Sequence, residues 1–211
     1  PRALKILEKL NSLNGDIIVL TETHSSIVPD SCANSVSTDF IPHDYDENLR
    51  IEYKEGENRT TIWTKYPINR THKTYDLFTA VCAEIETPFG PLVVYATIIG
   101  VFNGKRPRFH TDLKGHLEDF DIIFPEKKVA LIGDYNITFS GYLYPSLNAR
   151  KAMLNVFEKH KMKNLNSEIE GTVDHIAFST DFLSNKTFKI ETWNLDKKLS
   201  DHEGFVVTIS D

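Results

Sequence analysis

The sequence has 211 residues, 40% hydrophobic and 26% charged, with a formal net charge of −6. These values suit one globular domain that can bury a core, and they exclude a disordered chain, which needs low hydrophobicity and high net charge. No apolar run reaches about 18 residues, so no membrane-spanning helix is expected, and the acidic total argues against a long, tight nucleic-acid footprint.

The chain opens at Pro1-Arg2-Ala3-Leu4, without Met and without a signal-peptide pattern, as if something upstream had been removed. Residues 2–14 place Leu4, Ile6, Leu7, Leu10 and Leu13 at helical spacing, and Asn14-Gly15 stops that helix. Residues 16–21 form an apolar run of the kind buried on both faces of a sheet. Residues 23–50, rich in Ser, Pro, Asp and Asn, read as a long surface loop, a type that is often functional. Residues 59–65 read as a strand ending at Tyr66-Pro67. Residues 78–86 and 92–99 read as a hairpin that turns around Pro88 and Gly90.

Residues 107–124 read as a helix with Pro at its first turn. Residues 129–132 form a buried strand that delivers Gly133-Asp134-Tyr135-Asn136, and residues 145–161 form a second amphipathic helix. Strands follow at 172–179 and 205–209. Many strands, some in hairpins, with only three helices imply an α+β or mixed α/β sandwich, two packed sheets with helices outside. No repeat or linker divides the chain, so residues 1–211 are expected to be one domain. Cys32 and Cys82 are read as two buried thiols rather than a disulfide, which leaves the compartment open, with the cytoplasm favoured.

Four acidic residues share one context, the end of a strand followed by a polar loop: Glu22, Asp134, Asp174 and Asp201. Carboxylates on neighbouring strand ends can converge on one rim of a sheet, where a hard cation and a phosphate could be held. A single acid in such a place is usually a turn or capping residue; four together carry more weight. In extended geometry Asp134 and Asn136 would address one substrate from the same face. Ser200-Asp201-His202 sets a carboxylate beside an imidazole, and Asp174 is the candidate to orient the His202 ring.

Thr21-Glu22, Gly133-Asp134-Tyr135-Asn136, Val173-Asp174-His175 and Ser200-Asp201-His202 follow the order and spacing of the endonuclease/exonuclease/phosphatase superfamily, which the chain resembles over roughly residues 2–209. The resemblance implies a four-layered, DNase I-like α/β sandwich with mainly antiparallel sheets. It implies hydrolysis of phosphate esters with magnesium, or manganese in its place. On that resemblance Glu22 ligates the metal and Asp201 lies beside it. Asp134 positions or activates water, Asn136 contacts the phosphate, and Asp174 orients His202. Tyr95, in Val94-Tyr95-Ala96-Thr97, matches the phosphate-facing Tyr of the abasic-endonuclease branch. The family also carries a first strand with an Asn upstream of the first helix; this sequence begins after that point, so that strand is expected to be missing.

Arg59 is a candidate phosphate contact, weighed equally against an exposed strand end. Lys105, Arg106 and Arg108 are read as a solvated helix start, and His24 as a residue outside the site. The expected function is a magnesium-dependent, nuclease-like phosphodiesterase, a monomer acting on a phosphate ester or nucleic acid. The alternatives are an enzyme for a small or lipid-linked phosphate, and an inactive member that serves as a binding module. Substrate choice is expected to lie in the loops at 23–58 and 100–108.

Overall fold

The computed structural model describes residues 2–45, 54–101 and 104–211. The expected loops at 23–58 and 100–108 therefore lie partly outside the described residues. The elements are α1 (Arg2–Leu13), β1 (Ile17–His24), β2 (Asn34–Ser37), β3 (Glu57–Thr64), β4 (Ile68–His72), β5 (Ala80–Thr87), β6 (Gly90–Ile98), α2 (Pro107–Ile123), β7 (Val129–Asp134), α3 (Leu147–Lys159), β8 (Met162–Asn164), β9 (Asp174–Ser179), β10 (Thr187–Trp193) and β11 (Gly204–Ser210).

Six strands form one sheet in the order β4-β5-β6-β7-β9-β8, in which only β6 and β7 run parallel. Opposite it stand a three-stranded sheet, β1-β3-β2, and a two-stranded hairpin, β10-β11, all antiparallel. Strand alternation sorts the large sheet's side chains into two layers. Val94, Ala96 and Ala130 face the small sheets and meet Ile62, Val19 and Val207. Val93, Tyr95, Val129 and Leu131 face the other way and pack on Phe109, Phe120 and Met153 of α2 and α3. Helix α1 lays Ile6 and Leu10 against Ile18 and Trp63 on the outer side of the three-stranded sheet. The layers are thus helix, sheets, sheet, helices, the α+β sandwich expected.

The helices begin where local chemistry starts them. Pro107 opens α2, where its missing N–H costs nothing. Ser146 caps α3, its Oγ accepting from Ala149 N at 3.2 Å. Both cysteines are free thiols, Cys82 buried and Cys32 only partly so.

Tyr95 corrects one expectation. It is fully buried and belongs to the layer facing α2. Its Oη donates to Asp119 Oδ2 at 2.6 Å and lies 2.9 Å from His116 Nδ1. Those two partners, three residues apart on α2, share one helix face. Tyr95 is therefore a core residue with its polar end satisfied, away from the strand-end carboxylates.

Candidate active site

Strands β7 and β9 are antiparallel neighbours, and their register sets Asp134 directly across from Asp174. The carboxyl end of one strand and the amino end of the other thus present two carboxyl groups at one rim. Gly133 is required here. A Cβ on it would sit 1.9 Å from the Thr97 carbonyl oxygen, and its φ is +143°.

The chain then turns sharply. Asn136 has φ +50°, in the left-handed region, so the extended geometry expected for Asp134 and Asn136 does not hold. Asn136 folds back instead. Its backbone N donates to Asp134 Oδ1 at 2.8 Å, and its Nδ2 donates to Asp134 Oδ2 at 3.2 Å and to the carbonyls of Ile99 and Gly100 at 3.1 and 3.2 Å. Its amide braces Asp134 and ties it to the end of β6.

His202 reaches the same rim from the loop between β10 and β11. Its Nδ1 meets Asp174 Oδ2 at 2.6 Å, the partnership expected from sequence. The hydrogen bond to Asp174 is the main cause holding the imidazole charged, raised to about 9. Asp134 goes the opposite way for a carboxyl. Burial, and then the facing charges of Asp174 and Glu22, push it up to about 8.

Glu22 sits at an irregularity in β1. The pairing with β3 steps from Thr21 to Thr23, and Glu22 has φ +49°. Its carboxylate is exposed and accepts from Arg59 Nη1 at 2.6 Å. Glu22 and Arg59 therefore meet as a pair at the site edge. Asp201 is exposed; its carboxylate accepts from Ser200 Oγ at 3.4 Å and adds to the negative potential at His202. Glu22, Asp134, Asp174, Asp201 and His202 all line one cavity of about 780 Å³.

Asn194 was not anticipated. Its Nδ2 donates to the carbonyls of Ser200 and His202 at 2.8 and 2.7 Å, and its Oδ1 accepts from Leu199 N at 2.9 Å. One amide thus shapes the loop that carries His202. It sits at a left-handed φ of +60°, which Asn tolerates, a conformation that the sequence alone does not display.

Other candidates are held elsewhere. His24 Nδ1 accepts from Ser26 N at 3.0 Å, and its Nε2 lies 3.1 Å from the Glu55 carbonyl, so both ring nitrogens serve the local loop. Arg108 turns inward, donating to the Tyr45 carbonyl at 2.8 Å and pairing with Asp76 and Asp112. His175 is buried behind the rim, 2.8 Å from the Ile137 carbonyl, and burial lowers it to about 4.

The donors at the rim are carboxylates and an imidazole, with no thiolate among them, which fits a hard divalent cation. Among the described residues, no three His, Cys, Asp or Glu side chains stand together as a ready cage. Magnesium needs only one or two carboxylates, because water and substrate phosphate complete its shell. Burial is the main cause that raises Asp134, and the facing charges of Asp174 and Glu22 add a repulsion that a bound cation would relieve.

No protein-family model matches the sequence, and no curated protein matches it. Solved structures do. One is an endonuclease/exonuclease/phosphatase from Beutenbergia cavernae DSM 12333, with 14% identity and a TM-score of 0.70 over 98% of this chain. This chain spans 65% of that one's length. A second is the 3′ phosphatase NExo from Neisseria bound to product DNA hairpin, with 14% identity, a TM-score of 0.68, and 98% and 94% of the two chains covered. A third is an AP endonuclease from Archaeoglobus fulgidus, with 13% identity, a TM-score of 0.68, and 99% and 94% covered.

Proposed function

We propose that this chain, whose fold is the DNase I-like sandwich of endonuclease/exonuclease/phosphatase structures, hydrolyses phosphate esters with a divalent cation, magnesium or manganese. The observation that carries this reading is the convergence of Asp134 and the Asp174–His202 pair on one rim of the cavity. A buried carboxyl and a charged imidazole side by side supply a base and a cation within reach of one phosphate.

Asp134 orients the attacking water and takes its proton. Asn136 fixes the oxygen positions of Asp134 for that transfer, donating to both carboxyl oxygens. His202, held charged by Asp174, donates Nε2–H to a non-bridging phosphate oxygen and offsets the charge that develops there. Arg59 contacts the phosphate at the outer edge, shared with Glu22. Glu22, with Asp201 beside it, would hold the cation, which would supply Lewis-acid stabilisation of the phosphoryl oxygens.

Within this class we favour a nuclease-like phosphodiesterase. One fold neighbour supports it, since it is named an AP endonuclease. Tyr95, matched in sequence to the abasic-endonuclease branch, lies in the core and adds nothing to that preference. The net charge of −6 favours the second reading, a small or lipid-linked phosphate.

The test is turnover on a panel: plasmid DNA, an abasic-site duplex, RNA, bis(p-nitrophenyl) phosphate and p-nitrophenyl phosphate, with magnesium, manganese or a chelator. Cation-dependent cleavage of the diesters is expected. Turnover of the monoester alone would shift the assignment to the second reading. No turnover of any substrate would overturn the catalytic reading and leave a binding module.

A further inference from the structure

Asp134 is approached from three directions, which the sheet order distinguishes. Strand β7 lies between β6 and β9. Asp174 and His202 come from the β9 side, and Glu22 with Arg59 comes from the facing sheet. The β6 side is built differently. There the loop after β6 meets the loop after β7, and the side chains they present take no part in the phosphate chemistry above.

Hydrogen bonds join these two loops. Asn136 Nδ2 donates to the carbonyls of Ile99 and Gly100, and Gly104 N donates to Tyr144 Oη at 2.8 Å. Gly104 fits between them only because it lacks a side chain. A Cβ there would lie 2.8 Å from Pro145 Cβ and 3.0 Å from the Asn136 carbonyl oxygen. Tyr144 is thus one glycine away from Asn136, the residue that braces Asp134. Burial first, and then the charges of Asp134 and Tyr142, push its phenol up from the ordinary value. A phenol both accepts and donates. Its Oη accepts from Gly104, and among the described residues no acceptor takes its O–H.

Tyr142 stands beside it, 63% exposed. The backbone under that ring is fixed. Thr138 Oγ1 and Arg150 Nη2 donate to the Tyr142 carbonyl at 2.5 and 3.3 Å, and Thr138 N donates to the Tyr144 carbonyl at 2.9 Å. The ring itself lies against Gly171, where a Cβ would come within 3.1 Å of it. Lys105 Nζ stands 5.9 Å from the Tyr144 ring centroid, and Arg106 next to it is exposed. This side therefore presents two aromatic rings, an O–H donor and two cations, on backbone tied to Asn136.

One chemical group answers all of these. A phosphate seated between His202 and the Glu22–Arg59 pair leaves the β6 side for whatever is esterified to it. Aromatic rings stack on any nucleobase, the O–H meets a polar base or sugar edge, and the cations meet the next phosphate along a strand. An acyl chain offers nothing to the O–H or to the cations. Bases in a duplex are already stacked, so the rings select an unpaired one. The net charge of −6 fits a contact of a nucleotide or two rather than a long footprint.

We propose that Tyr142 and Tyr144, bordered by Lys105 and Arg106, form a subsite for an unpaired nucleoside next to the scissile phosphate. The subsite rests on the phosphodiesterase reading above and gives it a substrate class, single-stranded nucleic acid.

Fluorescence anisotropy in EDTA, where a cation-dependent reaction does not run, tests this with two labelled strands. One carries ten thymidines; the other has the same backbone with a tetrahydrofuran ring in place of every nucleoside. The base-bearing strand should bind at least about tenfold tighter. Tyr142→Ala should remove most of that difference and Tyr142→Phe should keep it, with thermal melts equal to the parent's as the control for folding. Equal binding of the two strands, no binding of either, or a preference that survives Tyr142→Ala overturns the proposal. So does binding to phosphatidylcholine–phosphatidylserine vesicles that Tyr142→Ala abolishes, which makes the loop a lipid contact. The measurement needs no turnover. A protein that cleaves diesters but binds both strands alike keeps the catalytic reading and loses the subsite. One that prefers the base-bearing strand but cleaves nothing keeps the subsite alone.

Discussion

Asp174 and His202, 28 residues apart in sequence, meet at 2.6 Å between Oδ2 and Nδ1. This contact turns a histidine on a loop into a fixed cation. Replacing Asp174 with Asn keeps the shape and removes the charge. We expect the His202 pKa to fall from about 9 toward the ordinary ~6.5. We expect phosphodiester turnover to fall by about 10²-fold or more. An NMR titration of the imidazole checks the first, and steady-state kinetics the second. An unchanged pKa would mean that another group holds the charge.

The same pair makes stability depend on alkaline pH. The His202 value is raised in the folded state, so its contribution is fully present below about 6.5, the unfolded value. It is lost as pH climbs through about 9. His116 and His175 have the opposite sign, since burial lowers them to about 3 and about 4. Their contribution is present above about 6.5 and is lost as pH falls through those values. Thermal melts should therefore decline on both sides of neutrality. His116→Gln should flatten the acid side, and a melt series whose acid limb is unaltered in that variant would contradict this assignment.

Asn194 works through three hydrogen bonds to the loop that carries His202. Asn194→Ala should lower kcat on the order of tenfold to a hundredfold, because small misplacements of a reacting group are costly. KM should change much less. The His202 titration should broaden or shift as the loop loosens, a readout that simple loss of stability would not produce. Equal kinetics in the variant would reduce Asn194 to an ordinary turn residue.

Tyr95→Phe separates a core role from a catalytic one. Removing the Oη leaves Asp119 and His116 short of a buried partner, at a cost of about 1–3 kcal/mol in denaturant unfolding. Turnover by the folded variant should match the parent. A large kcat loss with unchanged stability would return Tyr95 to the site.

Most of the sandwich was readable because its central strands are buried. Strands β1, β5, β6, β7 and β9 carry apolar runs, and β3 brings Ile62 and Trp63. The four strands not anticipated, β2, β4, β8 and β10, each lie at a sheet edge. Asn34–Ser37 has one apolar residue, and Met162–Asn164 has three residues in all. Their strand character comes from the neighbour they pair with, which local sequence does not display.

The site was readable in part for a related reason. Gly133 to Asn136 and Asp174 stand at strand ends, where register alone brings them together. Tyr95 was misassigned because β6 is buried on both faces, so its apolar run carries no signal for which face a residue takes. The bend at Asn136 follows from a left-handed backbone that motif spacing does not reveal.

The Asp134 carboxyl, facing Asp174 and His202, is the proposed centre of phosphate-ester hydrolysis. Asp134→Asn keeps the size of the side chain and removes its capacity to take a proton. Cleavage of bis(p-nitrophenyl) phosphate with saturating magnesium, measured for parent and variant of equal thermal stability, is the most direct test. A loss of at least about 10²-fold in kcat is expected. Turnover by Asp134→Asn at the parent rate would contradict it.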